Sequence, residues 1–152
     1  MNSEFYRNIV IATDGSENTQ KAISHGIEIA KLSGATVNAL YVVDISSFSS
    51  IPMSSEVGWE AMYEILKSEG EKAVSAVKSQ GEAAGVEVRE VVLEGNPSSA
   101  IIEFAENNNV DLIIMGTLGK TGLDRFLLGS VAEKVARGSK VPVMVVRSGE
   151  ES

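Results

Sequence analysis

Short branched-aliphatic runs alternate along this chain with longer stretches of helical period. Asn8-Ile-Val-Ile-Ala-Thr13 predicts a buried strand, and Asp14-Gly15-Ser16 a turn into a helix. In that helix Ala22, Ile23, Gly26, Ile27 and Ala30 share a face, and Gly34 stops it. Thr36 to Val43 predicts the second strand. Asp44 to Gly58 is rich in serine, contains Pro52 and has no sustained period, which predicts a long loop of the kind that often serves a function. A long helix is expected from about Trp59 to Ala84, with Met62, Ile65, Leu66, Ala73, Ala76 and Val77 on one face and Gly85 at its end. Val86 to Leu93 alternates as a less covered strand does. Asn96 then caps a helix with Pro97 in its first position, and Ala100, Ile101, Phe104 and Ala105 face inward. Val110 to Met115 is the fourth apolar run. A helix from about Ser130 to Arg137, closed by Gly138, leads to a last strand, Val141 to Val146. Pro142 cannot donate a ladder hydrogen bond, so this strand belongs at a sheet edge.

Strands separated by helices make βαβ units and hence a parallel sheet with helices on both faces. Ligands of such sheets bind outside the strand C-termini, where the strand order reverses. Asp14, Val42 to Asp44, and Met115 to Gly119 all fall at strand C-termini. The last of these carries the densest signal. Met115-Gly116-Thr117-Leu118-Gly119 is followed, after nine intervening residues, by Gly129-Ser130-Val131. Glycines let backbone approach a ligand, and a helix start offers free N–H groups to an anion. Ser130 is expected to cap this helix, with Glu133 completing a capping box. Strand, glycine turn and glycine–serine helix start together predict a phosphate cradle.

Two commoner nucleotide motifs are absent. Gly119-Lys120-Thr121 imitates the end of a P-loop, but Ile114 stands where its first glycine belongs. No G-x-G-x-x-G follows the first strand.

Length changes the picture little: 152 residues suit one domain with a well-buried core, expected here to span 1–152. Charge changes it more. A net charge of −8 argues against nucleic acid or an anionic membrane as partner, while leaving room for a nucleotide held by local N–H groups. The chain has no cysteine, which excludes disulfides, thiol catalysis and cysteine-bound metal. No apolar run approaches the ~18 residues of a membrane span, and the first residues lack the form of a signal peptide, so a cytoplasmic protein is expected. His25, the single histidine, lies mid-helix and reads as a structural or surface residue. Lys120 and Arg125 are candidate phosphate partners or solvated surface cations. Trp59 reads as packing beside the long loop.

With Gly116-x2-Gly119-x9-Gly129-Ser130 assembled and Asp14-Gly15-Ser16 after the first strand, the chain resembles the nucleotide-binding branch of the universal stress proteins. Leu40 to Asp44, Leu127 to Val135 and Val141 to Val146 extend the likeness over nearly its whole length. The resemblance implies an α/β three-layer sandwich: one five-stranded parallel sheet of order 3-2-1-4-5, helices on both faces, a single domain. It implies bound ATP, with any Mg²⁺ arriving on the nucleotide, and a homodimer through strand 141–146. By position, Ala12 and Asp14 would flank base and ribose, and Val42 would offer its backbone to adenine. Met115, Gly116 and Gly119 would line ribose and phosphates, and Gly129, Ser130 and Val131 would take the phosphates. Leu118 stands where many members carry a polar or basic residue. No catalytic residue, base or transition-state arginine is identifiable. The expected function is an ATP-binding switch or stress-response factor with absent or very slow hydrolysis. The alternatives are a slow ATPase or phosphoryl-transfer enzyme, and a nucleotide-free dimeric interaction module.

Overall fold

In the computed structural model, which describes residues 4–45, 56–117 and 128–147, the apolar runs become five parallel strands. They are β1 (Asn8–Ala12), β2 (Thr36–Asp44), β3 (Val88–Gly95), β4 (Leu112–Gly116) and β5 (Val143–Val146), in the order β3-β2-β1-β4-β5. Four helices lie among the described residues: α1 (Gln20–Ser33), α2 (Glu56–Ala83), α3 (Pro97–Asn107) and α4 (Ser130–Gly138). A short 3-10 turn, Glu17–Thr19, precedes α1.

Side chains of a strand alternate between its faces, and this sequence uses both. Ile9 and Ile11 of β1 join Val37, Ala39, Tyr41 and Val43 of β2 and Ile114 of β4 in a core that α1 and α2 cover. Val10, Ala12, Leu40, Ile113 and Met115 point the other way, into a core with Ile101 and Ala105 of α3 and Ala132 and Val135 of α4. The expected three-layer α/β sandwich of order 3-2-1-4-5 is therefore present as a single domain. Burial on both faces explains why the central strands read as unbroken apolar runs.

Local signals behave unequally. Gly34 ends α1 in the left-handed region (φ 78°), its N–H donating to the Ala30 carbonyl at 2.8 Å. Asn96 caps α3 as expected: its side-chain oxygen accepts from the Ser99 N–H at 3.1 Å, and Pro97 opens the helix. β5 lies at a sheet edge, and the Pro142 carbonyl accepts the Ile113 N–H at 3.0 Å. The capping box at the last helix does not form. Gly129 is the N-cap residue, Ser130 is already helical, no side chain caps α4, and the Glu133 carboxylate pairs with Arg137 at 2.9 Å. Gly138 is the last helical residue of α4, with Ser139 beyond it as the C-cap.

The long helix also differs from expectation. α2 is already helical at Glu56, and residues 46–55 of the expected loop lie outside the described residues. Leu66, Ala73 and Val77 do face the sheet, joined by Val74, which was not expected there, but Met62, Ile65 and Ala76 are exposed. Gly70 explains the rotation. It sits over the Tyr41 ring so closely that a Cβ there would lie 2.5 Å from Tyr41 Cδ1. The seam of α2 thus runs through a glycine, which no count of apolar residues registers.

Candidate functional site

The strand order reverses at β1, so the crossovers to β2 and to β4 leave toward opposite faces and a crevice opens at the strand C-termini. A cavity of about 510 Å³ occupies it, within the ~300–1,000 Å³ usual for small-molecule sites. Ala12 at the end of β1 and Asp14 just after it, Val42 and Asp44 of β2, Met115 and Gly116 of β4, and Gly129, Ser130 and Val131 at the start of α4 all line it. Eight of the nine residues expected to bind ligand are among them. The ninth, Gly119, lies outside the described residues together with Leu118, Lys120 and Arg125.

The first wall is the turn after β1. The Asp14 side-chain oxygen Oδ1 accepts from the Ser16 N–H at 2.9 Å and from the Ser16 hydroxyl at 2.7 Å. Both bonds engage Oδ1, and Asp14, half-buried, lines the crevice. Gly15 follows at φ 82°, a conformation L-residues seldom adopt, and this reverses the chain away from the sheet. The Thr13 N–H donates to the Leu40 carbonyl at 2.9 Å, so the turn stays tied to β2 as it leaves β1.

Two helix starts border the cavity, and they differ. At α3, Pro97 lacks an N–H and the Asn96 side chain accepts from Ser99, so that end is closed by its own sequence. At α4, the first intrahelical bond of the turn runs from the Glu133 N–H to the Gly129 carbonyl at 2.9 Å, and no side chain caps the end. The N–H groups of Ser130, Val131 and Ala132 precede that bond, and all three residues line the cavity. The Gly129 N–H is different: it donates to the Thr117 carbonyl at 2.6 Å, while the Thr117 N–H donates to Val146 at 3.1 Å. The Thr117 peptide thereby pins the start of α4 to the ends of β4 and β5.

The chemistry of this arrangement is selective. Aliphatic Ala12, Leu40, Val42 and Ile101 offer a flat apolar slot, Asp14 offers an acceptor, and the α4 start offers N–H donors with a positive dipole end. An apolar ring, a hydroxylated sugar and an anion match these three parts. Among the described residues no three acidic, histidine or cysteine side chains cluster as metal ligands. His25 is exposed on α1 and is not among the cavity residues.

Thr13, Thr19, Leu40, Tyr41, Asp44, Leu66, Pro97, Ile101, Thr117 and Ala132 line the cavity as well, without belonging to the expected set. Thr117 had a signal, lying between Gly116 and Leu118. Thr19 had none, being a polar residue in an ordinary helix approach.

Comparisons with known proteins agree with the fold. The sequence profile described as the universal stress protein family matches residues 5–147. Universal stress protein MJ0531 of Methanocaldococcus jannaschii is 50% identical over 142 residues, which cover 93% of this chain and 82% of that relative. Among solved structures, hypothetical protein MJ0577 superposes with a TM-score of 0.84 at 33% identity, covering 97% of this chain and 99% of that one. A universal stress protein solved in complex with cAMP gives 0.70 at 25% identity, covering 96% and 100%. With the profile spanning all five strands and half of the residues shared with a curated relative, the chain belongs to the universal stress protein family.

Proposed function

We propose that this chain, as one domain over residues 1–152, is a cytoplasmic ATP-binding protein whose nucleotide occupancy acts as a switch. The observation that carries the reading is the uncapped start of α4 facing the same cavity as the apolar slot and Asp14. Adenine stacks in the slot between Ala12 and Val42, with the Val42 backbone reading its edge. Asp14 Oδ2, an acceptor, takes a ribose hydroxyl. Met115 and Gly116 lie under the ribose, and the phosphates sit on the N–H groups of Ser130 and Val131, with Gly119 completing the cradle. Gly129 contributes its missing side chain, because its N–H is committed to Thr117. Mg²⁺ arrives on the phosphates. The related protein solved with cAMP supports an adenine nucleotide in this fold. A second copy pairing through 141–146 makes the homodimer.

Mass spectrometry of small molecules released on denaturing the purified protein, followed by ATP titration calorimetry of the stripped chain, tests the reading. An adenine nucleotide in the first measurement or saturable binding in the second is the expected result. Neither being found would overturn it. Turnover measured over hours then separates a binding protein from a phosphoryl-transfer enzyme. A rate within the usual enzyme range, on the order of 1–10³ per second, would exclude the switch.

A further inference from the structure

Beneath Asp14 two buried hydroxyls meet. Thr13 and Thr19 are 7% and 5% exposed, both line the cavity, and their Oγ1 atoms lie 3.0 Å apart. Each hydroxyl has one proton, which fixes the direction of the contact. The Thr19 hydroxyl donates to the Ser16 carbonyl at 3.0 Å. Its only proton is then spent, so Thr13 is the donor between the two threonines. Thr13 Oγ1 in turn accepts the Gly15 N–H at 3.0 Å. The result is a one-way chain: Gly15 N–H to Thr13, Thr13 to Thr19, Thr19 to the Ser16 carbonyl. It closes a loop around Asp14, with the two residues that follow it, Gly15 and Ser16, as its ends, and Ser16 donates two bonds to Asp14 Oδ1.

We infer that Thr13 and Thr19 are positioning residues: their hydroxyl chain aims the Asp14 carboxylate into the cavity and so sets the affinity and the sugar selectivity of the site. This rests on the nucleotide reading above. Bonds in such a chain polarise one another and are stronger inside a protein than in water. Gly15 holds a left-handed conformation that the chain must fix, since glycine is the least restrained of residues. Without the hydroxyl chain the turn keeps the backbone bond from the Thr19 N–H to the Ser16 carbonyl at 3.2 Å but loses the side-chain links through Thr13 and Thr19, so the Asp14 carboxylate is aimed less firmly. Valine at position 19 keeps the shape and removes the chain; serine keeps the chain.

The test is calorimetric titration of the full chain with ATP and with dideoxy-ATP, which lacks both ribose hydroxyls, in the presence of Mg²⁺. Thr19→Val should weaken ATP binding about tenfold, one hydrogen bond's worth, and abolish the preference for ATP over the dideoxy analogue. Thr19→Ser should restore both. In an Asp14→Ala background, Thr19→Val should cost nothing further, because the group it positions is gone. A merely structural threonine would instead weaken both nucleotides equally and additively, and that result overturns the inference. Thr13→Val with its Thr13→Ser control repeats the test should the Thr19→Val chain fail to fold. The two readings fail distinguishably. A wild type that binds neither nucleotide removes the function and this role with it. A wild type that prefers ATP, with Asp14→Ala impaired and Thr19→Val unimpaired, removes this role alone.

Discussion

Gly129 and Gly26 show glycine serving two ends. Gly129 has φ −63° and ψ 158°, an extended conformation open to any residue, so neither turn nor strain explains glycine there. Its place on the cavity wall does. Gly129→Val should therefore leave the circular dichroism spectrum and unfolding midpoint near wild type while abolishing ATP binding; undiminished affinity would move the phosphates elsewhere. Gly26 is the opposite case. A Cβ on it would lie 2.5 Å from Ile11 Cδ1 and 2.7 Å from Ile11 Cγ1, and Ile11 is fully buried with nowhere to retreat. Gly26→Ala should cost about 1–3 kcal/mol as overpacking does, outweighing alanine's better helix propensity of ~1 kcal/mol. Urea unfolding reads the sign, and a stabilised variant would mean that α1 shifts freely on the sheet. Both glycines are visible in the sequence, yet only Gly129 has a neighbour, Ser130, that marks it as chemical.

Elements were legible where one interaction decides them and obscure where two compete. The central strands announce themselves because burial on both faces demands unbroken apolar runs, and α3 announces itself because Asn96 and Pro97 do separate jobs at one end. α4 misleads. Ser130 and Glu133 have the right spacing for a capping box, but the chain enters from Gly129, and Glu133 finds Arg137 one turn on. That mismatch is what leaves the helix start open to a ligand. α2 misleads because glycine, not leucine, marks its closest approach to the sheet. Its Tyr63 hydroxyl donates to the Glu94 carboxylate at 2.6 Å, tying α2 to the end of β3. That hydrogen bond raises the Tyr63 pKa above its ordinary value, with desolvation and the charges of Glu94, Glu64 and Glu71 adding in the same direction. A raised folded-state pKa means a contribution fully present below the unfolded tyrosine pKa and lost as pH climbs through the folded one. Tyr63→Phe should thus be less stable than wild type at neutral pH, and the two should converge above pH ~10. Chemical unfolding across the alkaline range checks this. Coincident curves would show that the tie contributes nothing.

At the level of the assembled fold, the sheet order places the cavity and leaves two edges, β3 and β5. β3 is eight residues long and carries charge along its length at Arg89, Glu90 and Glu94, which discourages pairing with another chain. β5 is four residues long and apolar throughout, Val143-Met-Val-Val146. It pairs with β4 on one side, and its other side is a sheet edge with backbone donors and acceptors for a partner. A two-fold pairing of β5 with its copy would satisfy those groups in a closed dimer. Val143 and Val145 are half-buried against the core under α3 and α4, so changing them would disturb the protomer itself. Met144 is 36% exposed and lies within the strand. Met144→Glu should therefore fold normally, yet it would bring two like charges together across the two-fold in a chain already at −8. Light scattering should find a wild-type dimer and a Met144→Glu monomer, with partial recovery of the dimer in high salt, where exposed charges are screened. The Thr117 peptide adds a consequence. It hydrogen-bonds the end of β5 on one side and the start of α4 on the other, so the monomeric variant should also show altered ATP affinity. A wild type that stays monomeric at high micromolar concentration would remove the β5 dimer. A Met144→Glu dimer of undiminished stability would place the interface on another face.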